Sequence, residues 1–186
     1  MITIDNISFF YGEKQILKDF SLKIQKGDRI CLIGESGCGK TTLLRLVLGL
    51  EKPTNGNIIT TQKLKPSVVF QENRLLPFKT VLENITLVGA DKADALRHLN
   101  ALGIGDTANL KPDKLSGGMQ RRAAIARALS ADFNFLVLDE AFTGLDSENI
   151  KTAAEHILKT AGARPIILVT HSLEEAELFG AKIIKM

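Results

Sequence analysis

The chain has 186 residues, 45% of them apolar, which is enough for one packed domain and leaves little room for a second. Its 24 basic residues outnumber 21 acidic ones by three, an excess too small and too evenly spread to argue for nucleic acid, so no nucleic-acid partner is expected. Two cysteines, Cys31 and Cys38, have neither a CxxC spacing nor a nearby histidine, which speaks against a disulfide framework or a zinc site and fits a reducing compartment. The opening "MITIDNISFF" has no basic leader, and no apolar run approaches the length of a bilayer crossing, so a cytoplasmic chain is expected.

In chain order, "MITIDNISFFYG" and "DFSLKIQKGD" alternate and end in glycine-containing turns, as antiparallel strands do, and predict a small β layer at the N-terminal side. "ICLI" (30–33) is an uninterrupted apolar run suited to a strand covered on both faces. A helix over "TTLLRLVLGL" follows, stopped by Pro53 and Gly56. Residues 72–115 hold no strand-like run but two amphipathic pieces, "TVLENITLV" and "DKADALRHLNALG", and read as a helical insertion. His98 there, and His156 further on, fall within helical patterns and are expected to be solvated. The rest alternates helix and strand: "GGMQRRAAIARALS", then "FLVL" (135–138), then "SENIKTAAEHILKT" closed by Gly162, then "IILV" (166–169). That alternation predicts an α/β domain on a parallel sheet, with a core of 1–71 and 116–186 and a helical subdomain of 72–115.

The chemistry starts at the end of the first buried run. Gly34, Glu35, Ser36, Gly37, Cys38, Gly39, Lys40 and Thr41 read G-E-S-G-C-G-K-T, matching G-x-x-x-x-G-K-[ST], with Thr42 next in the helix. Glycines there permit positive φ and close approach, so backbone N–H groups and a helix N-terminus can face a phosphate chain. Lys40 can reach the β- and γ-phosphates, and the Thr41 hydroxyl can ligate Mg²⁺. The plain alternative is an ordinary strand-turn-helix.

"FLVLDE" places Asp139 and Glu140 at the C-terminal end of a buried strand, where open α/β sheets bind ligands. Asp139 would hold Mg²⁺. Glu140, pointing elsewhere from an extended backbone, could take a proton from attacking water, unless both acids are only solvated turn residues. In "KLSGGMQRRAAIARAL", Ser116 is a good N-cap, and Gly117 and Gly118 open the first turn. This is either a second anion-binding helix end or a capped helix with small residues for close packing.

"LSGG" between a P-loop and a "LDE" strand end resembles the signature of the ATP-binding cassette (ABC) ATPases, and nearly the whole chain then aligns in order. Tyr11 in "FFYGEK" is placed like the aromatic that stacks on adenine, although it could equally cover a β edge. Gln71 in "VVFQE" is placed like the Q-loop glutamine that senses Mg²⁺ and γ-phosphate, Asp146 in "TGLD" like the D-loop aspartate, and His171 in "VTHS" like the switch histidine. Two departures are Ala141, where many relatives have proline, and Met119, where a glutamine often ends the signature. Neither removes a catalytic group.

The resemblance implies the ABC ATPase fold, ATP and Mg²⁺ as ligands, and hydrolysis with Glu140, His171, Lys40 and Gln71 as catalytic groups. Ser116–Gly118 of one subunit would close over ATP on the P-loop of another, a second copy or a paralogous ATPase subunit. "VVFQENRLLPFKTVLENI" resembles the ATPases of importers for nitrate, sulfonates and taurine, which work with a membrane permease and, in some systems, a solute-binding protein. A lipid or lipoprotein exporter ATPase is the near alternative, and a soluble ABC ATPase the distant one. Leu75, Leu76, Pro77 and Phe78 either form a small core or receive the permease. The chain's end soon after His171 predicts no C-terminal regulatory domain.

Overall fold

A computed structural model describes residues 1–186. Strands β1 (Ile2–Tyr11), β2 (Lys14–Ile24) and β3 (Arg29–Ile33) precede helix α1 (Lys40–Val47). Strands β4 (Asn55–Thr60) and β5 (Pro66–Val69) follow, then helices α2 (Val81–Thr86), α3 (Lys92–Ala101) and α4 (Gly117–Leu129). The remainder alternates as β6 (Phe135–Asp139), α5 (Ser147–Ala161), β7 (Ile166–Val169), α6 (Leu173–Leu178) and β8 (Lys182–Lys185). The strands form two sheets, an antiparallel one in the order β2-β1-β4 and a parallel one in the order β5-β6-β7-β3-β8.

The continuous apolar runs are explained by two cores on opposite faces of the parallel sheet. Leu136 and Leu138 of β6, with Leu168 of β7, face a cluster that includes Ile85, Leu99, Ile125 and Ile157 of the helices. Phe135 and Val137, with Ile167 and Leu32, face a second cluster closed by Ile4, Ile7 and Phe9 of β1 and by Leu43 and Leu46 of α1. Successive residues of a strand point to opposite faces, so a strand covered on both sides is apolar at every position.

The N-terminal β layer expected from residues 1–30 is present, but its third strand, β4, comes from beyond the P-loop helix. Strands β4, β5 and β8 have no counterpart in the sequence reading. All three lie at sheet edges, and β4 and β8 are largely exposed, so little pattern marks them.

Residues 72–115 carry helices α2 and α3, two short 3₁₀ turns and no strand, as expected. Helix α2 opens on a capping box, in which Glu83 N–H donates to Thr80 Oγ1 (3.2 Å) and Thr80 N–H donates to Glu83 Oε2 (2.7 Å). Asn84, fully buried, accepts from Leu76 N–H at 2.7 Å and donates to the carbonyls of Leu76, Lys79 and Thr80. That network holds the Leu76–Lys79 turn in place from beneath.

The two histidines correct an expectation. His98 is 1% exposed, and its Nδ1 lies 2.8 Å from Nε2 of His156, which joins α3 to α5. Burial, with Arg97 as second cause, pushes His98 down to about 4, and burial lowers His156 too. The buried face of α3 continues through Ala95, His98, Leu99 and Leu102, a stripe at helical spacing that places His98 inward.

Candidate active site

The P-loop links the end of β3 to the start of α1, and its shape depends on glycine at two close approaches. A Cβ on Gly34 would stand 2.6 Å from Cys38 Sγ and 2.8 Å from the carbonyl oxygen of Met186, just past β8. Gly39 has φ +107°, and its Cβ would press at 3.2 Å on the carbonyl of Ile16 in β2. Helix α1 therefore starts on a glycine that supplies no side-chain cap, with no acid in its first turn. Its first N–H groups are left to an outside acceptor, which suits a phosphate.

Lys40, the first residue of α1, is only 7% exposed, and its Nζ donates to the carbonyls of Gly34 (2.7 Å) and Glu35 (2.8 Å). The ammonium sits inside the curl of the loop. Lys40, Thr41 and Thr42 share a cleft of about 230 Å³ with Gln71, Asp139, Glu140 and His171. Ser36, Gly37 and Gly39 complete the loop side of that cleft. A larger cavity of about 460 Å³ opens elsewhere, between Met1, Leu64 and Arg164, and contains none of these groups.

Sheet register brings the opposite wall together. Leu32 of β3 and Asp139 of β6 both pair with Val169 of β7, so three parallel strands end side by side and their following loops meet. Burial, with the Glu140 carboxylate as second cause, raises the Asp139 carboxyl against the pull of Arg121 and Lys40. A cation placed there would relieve that burden. Asp139 and Thr41 offer the hard oxygen ligands that Mg²⁺ prefers, and Gln71 adds an amide oxygen on the same cleft.

Glu140 departs from the expected extended backbone: its φ is +47°, a left-handed conformation that costs a non-glycine residue about 1–2 kcal/mol. Contacts on both sides hold it. Its N–H donates to Val169 O (2.9 Å), and its carbonyl accepts from the Arg121 guanidinium. The turn aims the carboxylate at His171, with Oε1 3.3 Å from Nε2. Glu175 stands in the cavity just behind, its carboxyl raised first by burial and also by Glu140.

Tyr11, Ser116, Gly117, Gly118 and Asp146 do not line the cleft. Tyr11 is 48% exposed, with its ring edge-on to Phe9 at 4.9 Å. Ser116 caps α4, its Oγ accepting from Met119 N–H (3.3 Å). Asp146 caps α5 and accepts from Asn149 N–H (2.8 Å), a bond that is the first cause of its lowered carboxyl. A Cβ on Gly118 would lie 3.4 Å from Gly144 O, so the start of α4 adjoins the turn that leads to Asp146. Sequence reasoning missed Arg121, although it lies on the same helical face of α4 as Ala124, Ile125 and Ala128.

The family model for ABC transporters matches residues 17–143, more than half of the chain. The chain belongs to the ABC transporter family. This ABC chain is 36% identical to the aliphatic sulfonates import ATP-binding protein SsuB of Pseudomonas fluorescens, over 98% of its own length and 72% of the relative's. It is 35% identical to the bicarbonate transport ATP-binding protein CmpD of Synechocystis sp., over 100% of its length and 73% of that protein's. Among solved structures, it superimposes on the dimeric ATP-binding cassette MJ0796 in a post-hydrolysis state bound to ADP and Pi, with TM-score 0.88 and 30% identity. That match covers 100% of this ABC chain and 94% of the cassette. The chain is thus an ATP-binding cassette ATPase with the P-loop ABC fold.

Proposed function

We propose that this chain, acting as one nucleotide-binding unit, is the ATP-hydrolysing subunit of a small-solute importer and couples ATP-driven closure of two ATPase subunits to a separate membrane permease. The observation that carries this reading is the division of the phosphate-gripping groups. Lys40, Gln71, Asp139, Glu140 and His171 share one cleft, while Ser116–Gly118 and Asp146 stand together outside it. A second anion-binding helix end outside its own cleft can serve a nucleotide held by another subunit.

In this reading the P-loop amides and Lys40 bind the β- and γ-phosphates of ATP, and Tyr11 stacks on the base. Thr41, Asp139 and Gln71 would hold Mg²⁺, which when bound would supply positive charge against the negative charge of the phosphates. Glu140 takes the proton of the water as its oxygen bonds to the γ-phosphorus and the bond to the β-phosphate bridging oxygen breaks. His171, beside Glu140, donates to the γ-phosphate or positions that water. Hydrolysis separates the γ-phosphoryl group from ADP, and its departure as inorganic phosphate takes away the charge that joins the two subunits, so they part.

The permease would dock on residues 72–115. Phe78 is 70% exposed, and Leu76, Leu87, Val88 and Leu110 on the same segment are also open, an apolar surface that water does not favour. Leu75, by contrast, packs against the core. The relatives named for sulfonate and bicarbonate transport support the importer assignment. Such subunits lie on the cytoplasmic face of the membrane through their permease, and no helix of this chain is long and apolar enough to cross it. A solute-binding protein completes importers of this kind.

Glu140→Gln tests the reading. Loss of a general base costs about 10²- to 10⁴-fold in rate, while ATP and Mg²⁺ binding survive through Lys40, Thr41 and Asp139. Gel filtration with MgATP should show a stable dimer of the variant. Monomers only, or unchanged turnover, would refute the trans arrangement or the base, respectively.

A further inference from the structure

The Arg121 guanidinium is the most heavily engaged polar group in the chain, and although it lies within "KLSGGMQRRAAIARAL" it has been given no role above. It is 2% exposed, on the second turn of α4, behind Ser116–Gly118. Its Nε donates to Ala141 O at 2.8 Å. Its Nη1 donates to Phe70 O (2.6 Å), Gln71 O (3.0 Å) and Asn73 Oδ1 (3.2 Å). Its Nη2 reaches Asp139 O (3.4 Å) and Glu140 O. Five N–H groups thus serve six acceptors on two segments that are about 70 residues apart in sequence.

We propose that Arg121 is a positioning residue for hydrolysis: its guanidinium clamps the backbone of Phe70–Asn73 to that of Asp139–Ala141 and thereby sets where the Gln71 and Glu140 side chains stand in the cleft. The planar fork suits this task, because its donors have fixed directions and no rotation of the side chain satisfies one strand end at the expense of the other. The left-handed turn at Glu140 needs such a hold, since its N–H is already fixed to Val169 and only the carbonyl side remains free to shift. Arg127, on the same helix, extends the grip through Nη1 to Arg74 O (2.7 Å) and Nη2 to Asn73 O (2.8 Å). Helix α4 therefore holds both the segment after Gln71 and the turn at Glu140. A shift of its N-terminus, where Ser116–Gly118 lie, is passed to Gln71 and Glu140 of the same chain.

This inference rests on the assignment of Glu140 as the base, and a double-mutant cycle separates the two. Arg121→Gln is the first variant, because a neutral amide keeps two donors and carries no buried charge. Turnover should fall about tenfold or more, the scale on which a displaced catalytic group is felt, while the Kd for ATP in an equilibrium titration stays within about twofold, since Arg121 touches neither the P-loop nor Lys40. In the Glu140→Gln background the same change should slow single-turnover hydrolysis by a clearly smaller factor than in the wild type, because only Gln71 is then left to misplace. Arg121→Lys, with three donors radiating from one point, should behave like Arg121→Gln; it carries the test alone if the glutamine variant does not fold. Unchanged turnover, a Kd that rises in step with the loss of rate, or a full multiplicative loss in the Glu140→Gln background would each overturn the proposal. Full turnover of Glu140→Gln by itself would overturn the assignment of the base and the clamp's purpose with it.

Discussion

Phe78→Ala separates a folding role from a docking role, and the structure sets the expected size of each. A buried phenylalanine truncated to alanine costs about 3–5 kcal/mol. Phe78, however, is 70% exposed, so under a third of that burial exists to be lost. The cost is then about 1 kcal/mol, which for a chain of this length lowers Tm by about 2–4 °C. The turn itself survives, because Asn84 holds the backbone of Leu76, Lys79 and Thr80 without help from the Phe78 ring. At a docking contact the same truncation removes an aromatic that becomes desolvated on binding, worth about 2 kcal/mol or more. That is about thirtyfold in affinity. The isolated subunit should hydrolyse ATP at the wild-type rate, while co-purification with detergent-solubilised permease and transport-linked stimulation of ATPase should be lost. A fall in Tm beyond about 10 °C would show that the ring is packed after all, and wild-type assembly with the permease would remove Phe78 from the docking surface.

Three further outcomes are expected. Tyr11→Ala should weaken ATP binding by about 1–3 kcal/mol, the value of a base-aromatic stack; unchanged affinity in an equilibrium titration would make Tyr11 a cover for Phe9. Because folding lowers His98 from 6.5 to about 4, beside Asp94, Arg97 and His156, its contribution is complete above pH 6.5 and is lost as pH falls towards 4. Over that window urea unfolding of wild type should lose up to about 3 kcal/mol more than His98→Gln, and equal losses would refute the linkage. Cys38, half-buried with its Sγ 3.7 Å from Lys40 Nζ, should be alkylated with loss of ATP binding and protected by ATP. Cys31, fully buried and pushed up to about 11, should stay unmodified, and mass spectrometry finding Cys38 untouched without nucleotide would refute the prediction.

Much of this protein was legible where function depends on neighbours in sequence. The P-loop compresses its glycines, Lys40 and Thr41 into one strand-turn-helix, so spacing alone specifies it. Ser116 was readable as a cap because its bond reaches only three residues ahead, to Met119. Strands β3, β6 and β7 were readable because both faces are covered, whereas β4, β5 and β8, at the sheet edges, carry too few buried positions to announce themselves.

What lay outside the sequence reading depends on partners brought together by the sheet. Glu140 turns left-handed because Val169 and Arg121, 29 and 19 residues away, take its two backbone groups, and nothing local to "LDEAF" predicts that turn. His98 is buried against His156, 58 residues on, although the helical pattern around each predicts a solvated side chain. The sequence by itself determined the local form of the P-loop and which carboxylate, amide, hydroxyl and imidazole groups the chain offers as candidates beside it. Only the tertiary structure decided which of them meet: parallel pairing aligns the ends of β3, β6 and β7, so their loops converge on one cleft, while Ser116–Gly118 and Asp146, carried at the starts of α4 and α5, are left outside it.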